Sequence, residues 1–264
     1  MNSARMPALY LPHGGGPSFF MAGERKLRYQ QTEDFLRSVH GLLPATPTAI
    51  LIVTAHWETA VPSFTGGAHP GLIYDYYGFP PETYALQYAA PGQPALAQQA
   101  AQLLHQAGFA ATVDADYGWD HGVFIPLKVM FPEANVPVVS MSLQASLDPT
   151  LHCALGTALQ SLRDEGVLIV GAGMSYHNLQ DFAGSAPASF AFHDWLDNVL
   201  CGNRDARTRS LALWSQAPGG RASHPREEHL LPLMVASGAG SDVPARRLWR
   251  GSVGPSCLAA WAFD

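Results

Sequence analysis

The chain has 264 residues, of which 47% are hydrophobic and only 14% charged, with a net charge of -6 when histidine is neutral. That composition supplies ample core and excludes a chain kept disordered by its own charge. The basic residues are scattered and no apolar run approaches the roughly 18 to 20 residues that span a bilayer, so neither a nucleic-acid nor a membrane partner is expected.

Met1 to Arg5 leads straight into an apolar run, without the longer apolar stretch of a signal peptide. Cysteines 153, 201 and 257 are odd in number and lack zinc-motif spacing, which suits a reducing compartment. Cytoplasmic residence is the expectation.

In chain order, Ala8 to Leu11 reads as a buried strand that stops at Pro12-His13-Gly14-Gly15-Gly16-Pro17. Glu24 to Leu43 has the spacing of a crossover helix. Ala49 to Ala55 is β-branched and apolar on both faces, as a central covered strand must be, and is expected to end at His56-Trp57-Glu58. Residues 60–93, rich in Gly, Pro and Tyr, read as a long loop, and long loops in compact domains tend to be functional. Pro94 to Gln106 is a helix with Pro in its first turn and Gly108 as its stop. Ala110 to Val113 reads as a strand and Gly118-Trp119-Asp120-His121-Gly122 as a loop. Val123 to Phe131 follows as a short helix, with Pro126 near its start.

Val136 to Leu143 is a further strand, and Asp148-Pro149 caps a helix expected to reach Arg163. Val167 to Val170 is a second buried strand, leading into Gly171-Ala172-Gly173-Met174-Ser175-Tyr176-His177-Asn178. Ser189 to Leu200 is helical, Arg204 to Arg221 reads as an irregular, charged surface segment, and His224 opens a helix through Val235. Cys257 to Phe263 closes the chain as a strand. Strands alternate with helices throughout, which predicts one α/β domain over residues 1–264. Its central sheet should be mostly parallel or mixed, with helices on both faces.

Eleven histidines stand beside fifteen lysines and arginines. His13, His56 and His177 each fall at the end of an apolar strand, where open α/β sheets bind ligands. His121 lies in a glycine-flanked loop and His229 near a helix start. One such histidine is ordinarily a polar loop residue. Several from independent strands converge on one crevice if those strands are neighbours, which makes a metal or acid–base site with His13 and His56 as shared ligands. His40, His69, His105, His152, His193 and His224 read as structural. Imidazole suits iron, zinc, copper and nickel alike. Glu58 is a candidate to hold a ligand's second ring nitrogen, and Glu227 and Glu228 read as solvated first-turn acids.

Pro12-His13-Gly14-Gly15-Gly16-Pro17, Ala55-His56-Trp57, Trp119-Asp120-His121-Gly122, His177-Asn178-Leu179 and Glu228-His229-Leu230-Leu231-Pro232-Leu233 occur in an order and spacing that resembles the class III extradiol ring-cleaving dioxygenases, in their DOPA dioxygenase branch. Tyr77-Gly78-Phe79-Pro80 to Tyr88-Ala89-Ala90-Pro91-Gly92 resembles the same branch, so the likeness spans nearly the whole chain. The resemblance implies metal ligation by His13, His56 and His229. It makes His177 a fourth ligand or an acid–base residue, and His121 a histidine facing substrate. It implies iron(II) for activity, with zinc(II) a compatible occupant that has no redox chemistry of its own.

The expected reaction is O₂-dependent cleavage of a catechol ring beside its two hydroxyls, with His177 as base and His121 stabilising or protonating the oxygen species. The partners are then a small aromatic substrate and O₂, and a homo-oligomer is compatible with the sequence. The loop Tyr74 to Tyr88 is expected to cover the ring, with Tyr77, Trp57 and Trp119 as substrate contacts. A zinc hydrolase built on the same histidines is the alternative, and a non-catalytic binding protein a further one. A serine hydrolase is disfavoured because Gly173-Met174-Ser175-Tyr176-His177 ends in histidine rather than the glycine of the Gly-x-Ser-x-Gly elbow.

Overall fold

A computed structural model describes residues 4–181 and 186–264. The first three residues of the Met1–Arg5 segment lie outside the described residues. Eight strands form one mixed sheet: β1 (Ala8–Pro12), β2 (Ala49–Thr59), β3 (Ser63–Thr65), β4 (Thr112–Asp114), β5 (Val138–Gln144), β6 (Val167–Gly173), β7 (Arg246–Val253) and β8 (Ser256–Phe263). Their order is β4-β3-β5-β2-β6-β1-β8-β7. The four central strands β5, β2, β6 and β1 run parallel, while β8 and β7 extend one side antiparallel.

The strands are apolar on both faces because both faces are covered. Leu51, Val53, Ile169 and Tyr10 point into one core cluster, against α2 (Pro94–Gln106), α4 (Pro149–Leu159), α5 (Ala186–Leu200) and α8 (Leu231–Ala239). Ile50, Ile52, Leu168 and Leu9 alternate into the other, against α1 (Glu24–Ser38) and α3 (His121–Met130). This is the two-residue period of a strand put to use on both sides. Among the described residues no helix is long and apolar enough to cross a membrane.

Several elements depart from the sequence reading. β2 does not stop before His56 but runs on to Thr59. Between Val53 and Glu58 it advances five residues while β5 advances only two, from Met141 to Leu143. Extra residues in one strand bend it and re-aim its side chains, and here His56 lies within the irregular stretch. The loop at 60–93 contains β3 and a short 3₁₀ turn, Pro81–Ala85, both too brief to leave a periodic signal. His121 opens α3 rather than sitting in a loop, with Asp120 just before it, which moves Pro126 into the helix's second turn.

The helix expected to reach Arg163 becomes 3₁₀ after Leu159. Arg204 to Arg221 is not irregular. It holds α6 (Arg204–Leu211) and α7 (Gly220–Ser223), and Arg207 is fully buried. The Arg207 guanidinium donates to the carbonyls of Gly202, Ser237, Ser241 and Val243, so a charge that reads as solvated is a buried anchor. α8 starts at Leu231, with Pro232 rather than Pro225 in its first turn, so His229 precedes the helix. The edge strand β7 was not expected, because its Arg-rich, half-exposed sequence hides the alternation.

A candidate metal centre

The three adjacent parallel strands β2, β6 and β1 end at the same edge, and each brings a histidine there. β1 delivers His13, the bulged end of β2 carries His56, and the segment past β6 carries His177. His229 is held against the end of β6 by its backbone. Its carbonyl accepts from Met174 N (3.1 Å) and from the Tyr10 hydroxyl (2.9 Å). Gly173 makes this approach possible, because a methyl group there would lie 2.2 Å from the His229 carbonyl oxygen.

The ring centroids of His13, His56 and His229 form a nearly equilateral triangle with sides of 4.9, 4.9 and 5.1 Å. His121 lies 4.0 Å from His56, and His177 stacks on His229 at 3.3 Å. Five imidazoles from distant parts of the chain therefore share one site.

Hydrogen bonds decide which nitrogen each ring offers. His13 Nδ1 lies 2.9 Å from the Gly14 carbonyl, which can only accept, so Nδ1 carries the proton. His229 Nδ1 donates to Glu228 Oε1 at 2.9 Å, and His121 Nδ1 to Asp75 Oδ1 at 2.9 Å. The other oxygen of Asp75 stands 3.4 Å from His56 Nδ1. Each ring is thus oriented through Nδ1 and presents Nε2, the pattern of metal-binding histidines whose second nitrogen is tied to an oxygen. His229 Nε2 is buried and has no hydrogen-bond partner among the described residues, a state that costs about 1–3 kcal/mol unless something fills it. The Nε2 atoms of His13 and His56 are 3.3 Å apart. Two donors about 2.1 Å from one cation, at roughly a tetrahedral angle, stand at about that separation. The donor set fits a divalent metal.

Electrostatics agree. Burial, reinforced by the neighbouring histidines, holds His13 and His229 well below the usual histidine range and His56 at about 3. All three are neutral near pH 7, the protonation state that binds metal. Burial pushes the Asp75 and Glu228 carboxyls up, but hydrogen bonds and charge from His121 and His177 respectively outweigh it and leave both below their ordinary values. Glu228 Oε1 also stands 3.4 Å from His177 Nδ1, so one carboxylate oxygen serves both stacked rings. Arg226 pairs with both oxygens of Glu58 and reaches Glu228 Oε2 at 3.3 Å.

In front of the histidines lies a cavity of about 310 Å³, walled by Gly14 to Gly16, Arg25, Tyr29, Tyr76, Phe79, Met174 and Leu179. Its size and mixed apolar and imidazole lining suit a single small ring.

Residues 7–255 match the family described as the catalytic LigB subunit of aromatic ring-opening dioxygenase. The chain belongs to this family, the class III extradiol dioxygenases. It is an extradiol ring-cleaving dioxygenase, and the family together with the histidine clusters points to a bound metal, a small-molecule substrate and O₂. Among its relatives, the protein named dioxygenase tasH of Hapsidospora irregularis is 40% identical, covering 88% of this chain and 78% of that one. The 4,5-DOPA dioxygenase extradiol of Portulaca grandiflora is 41% identical over 76% of each chain. The protein of the same name from Escherichia coli K12 is 34% identical, covering 90% and 87%. A crystal structure of an uncharacterized Escherichia coli K12 protein superimposes with a TM-score of 0.79 at 30% identity, over 98% of this chain and 100% of that chain.

The dioxygenase's five candidate histidines come together, but the expected aromatic contacts do not. Trp119 is fully buried behind the site, and Trp57 stacks on Tyr117 at 3.9 Å, outside the cavity wall. Tyr77 is 91% exposed and points away, while its neighbour Tyr76 faces His121 with centroids 5.8 Å apart. Glu58 holds Arg226 and, among the described residues, makes no hydrogen bond or ion pair with a histidine. His224 is buried elsewhere, on the Ser175 carbonyl. Sequence reasoning missed Asp75, whose signal is a lone acid between two tyrosines. It also read Glu228 as solvated, although it touches two rings of the site.

Proposed function

We propose that His13, His56 and His229 hold one divalent metal, iron(II) in the active enzyme, and that the reaction is extradiol cleavage of a catechol, DOPA or a related ring. The observation that carries this is the triangle of three imidazoles, each oriented through Nδ1, with a buried and unpartnered Nε2 on His229. The metal, when bound, supplies redox chemistry and open positions for the catechol oxygens and O₂.

The protein supplies the rest. His177, with Nδ1 toward Glu228, accepts the first hydroxyl proton at Nε2, and the carboxylate stabilises the imidazolium that results. His121, backed in the same way by Asp75, moves a proton at its own Nε2 beside His56. Such acid–base help is worth of order 10²–10⁴ in rate. Tyr76 and Phe79, 5.3 Å apart, hold the ring and keep water from it. The two hydroxyls face the histidines and both oxygen atoms of O₂ enter the opened product.

The test is oxygen uptake on a catechol panel, after anaerobic loading with iron(II) or zinc(II) and with metal content measured alongside. Uptake with iron and none with zinc is expected. No uptake under either metal, with one ion bound per chain, would refute ring cleavage.

A further inference from the structure

Past β6 the chain leaves regular structure, yet the stretch from Met174 to Asn178 is laced to residues 222–229. Met174 N donates to the His229 carbonyl at 3.1 Å and His177 N to the Ser223 carbonyl at 2.9 Å. Asn178 Nδ2 donates to the Ala222 carbonyl at 2.9 Å. A further tie comes from a side chain, with His224 Nε2 standing 3.0 Å from the Ser175 carbonyl. From the other side the Ser175 hydroxyl donates to His193 Nε2 at 2.8 Å and accepts from Ala259 N at 2.9 Å. Ser175, two residues before His177, is therefore held from both directions.

His224 is fully buried, with the rings of Phe192 and Trp214 steeply inclined to its own at centroid distances of 5.5 and 5.9 Å. A carbonyl only accepts, so His224 Nε2 carries the proton and Nδ1 is left bare. That Nδ1 has no hydrogen-bond partner among the described residues. An unpaired buried nitrogen costs about 1–3 kcal/mol, which a phenylalanine between the same two rings would avoid. A phenylalanine could not donate to Ser175. The position therefore gives up stability for one directed hydrogen bond, on the backbone from which His177 projects. His177 needs that support. Its ring stacks on His229 at 3.3 Å, but its Nδ1 stands 3.4 Å from a Glu228 oxygen that His229 Nδ1 holds more closely, at 2.9 Å. The side-chain contact is the weaker of the two, so the placement of the His177 ring falls to its backbone.

We infer that His224 is a positioning residue: through the Ser175 carbonyl it holds the segment that carries His177, and so keeps the His177 ring on His229 and facing the cavity. This rests on His177 being the base of the reaction. His224 and His229 lie on one short segment, so the same hydrogen bonds set the base and its neighbouring imidazole relative to each other.

The experiment is a double-mutant cycle between His224→Phe and His177→Ala, in protein loaded anaerobically with iron(II), with DOPA as the catechol and metal content measured alongside. His224→Phe is expected to lower kcat about ten- to a hundredfold, as a small misplacement of a reacting group does, with KM and metal content within about twofold of wild type. In the His177→Ala background the same change should cost less than about twofold, because no ring is left to place. His224→Gln, whose amide can donate to Ser175, should recover most of the loss. His224→Asn, whose shorter amide falls short of Ser175, should not recover it, and it carries the cycle if the phenylalanine variant does not fold. A loss undiminished in the His177→Ala background, a loss matched by release of metal, or wild-type kcat in the folded variants would each overturn the inference. A readout without turnover separates it from the reading it rests on. In zinc-loaded protein isotope-labelled at histidine, the NMR signals of the His177 ring, assigned by their absence in His177→Ala, should shift in His224→Phe and return in His224→Gln. Unshifted signals would overturn the positioning role. Shifted signals beside wild-type turnover in His177→Ala, or beside no turnover under iron, would support that role and remove the base or the ring cleavage respectively.

Discussion

Glu228 is where orientation and charge in the metal site can be separated by substitution. Its Oε1 accepts from His229 Nδ1 at 2.9 Å and stands 3.4 Å from His177 Nδ1. In Glu228→Gln an amide oxygen can still accept from His229, so the ring stays oriented, but the charge that makes Nε2 a stronger donor is gone. In Glu228→Ala the orientation goes as well, and the Nδ1–H of the buried His229 is left without a partner. Oxygen partners of metal-binding histidines contribute about 10- to 100-fold in metal affinity. The glutamine variant is therefore expected near the lower end, about 1.4 kcal/mol, and the alanine variant near the upper end, about 2.7 kcal/mol. The assay is competition for metal against a chelator of known affinity, with far-UV circular dichroism to confirm the fold. Equal affinity in all three proteins would refute the reasoning, because it would mean that the 2.9 Å contact orients nothing the metal uses.

Other substitutions and pH test the remaining contacts. His13→Ala or His56→Ala should lose the metal and all turnover with the fold intact, whereas His177→Ala should keep most of the metal and lose about 10²-fold or more in kcat. Metal analysis beside kinetics checks both, and complete metal loss in His177→Ala would make that residue a ligand. Gly173→Ala should displace the His229 carbonyl it would otherwise touch at 2.2 Å, lowering both metal content and the urea midpoint, and full retention of both would count against the docking described.

Stability of the metal-free protein should fall in acid. Burial holds His193 at about 4 and His56 and His224 at about 3, whereas in the unfolded chain they titrate near 6.5. Below pH 6.5 the unfolded state binds more protons than the native one. Stability is therefore fully present above that pH and declines as pH falls toward 4, by up to roughly 1.4 kcal/mol per pH unit for each histidine. Urea midpoints that stay flat from pH 7 to 4.5 would contradict the burial of these rings.

The histidine cluster was legible because its carriers are the plainest elements in the chain. β1, β2 and β6 are apolar on both faces, and His13, His56 and His177 lie at the ends of their apolar runs. What the sequence did not disclose was parity and partnership. Tyr76 and Tyr77 are equally good ring contacts on paper, and only the path of the loop sends one inward and the other to solvent. Trp57 adjoins His56 along β2, but neighbouring residues in a strand point opposite ways, and Trp119, two residues before the helix that His121 opens, is buried in the core. Glu228 was misjudged because the helix was started at His224. With α8 beginning at Leu231, Glu228 is no first-turn acid but part of the turn facing the site. Arg207 misled in the opposite sense, since a charged residue draws a surface assignment until four carbonyls are found around it.

The triangle of His13, His56 and His229 has a consequence for how the enzyme is made. Two corners lie in the first quarter of the sequence and the third arrives only with the turn before α8. β6 stands between β1 and β2 in the sheet, so a nascent polypeptide brings the first two nitrogens together only after position 173 has emerged, and the third only when position 229 has settled against β6. If these three residues hold the ion as proposed, loading would come late in synthesis, and the ion would then act as a clasp between distant parts of the polypeptide.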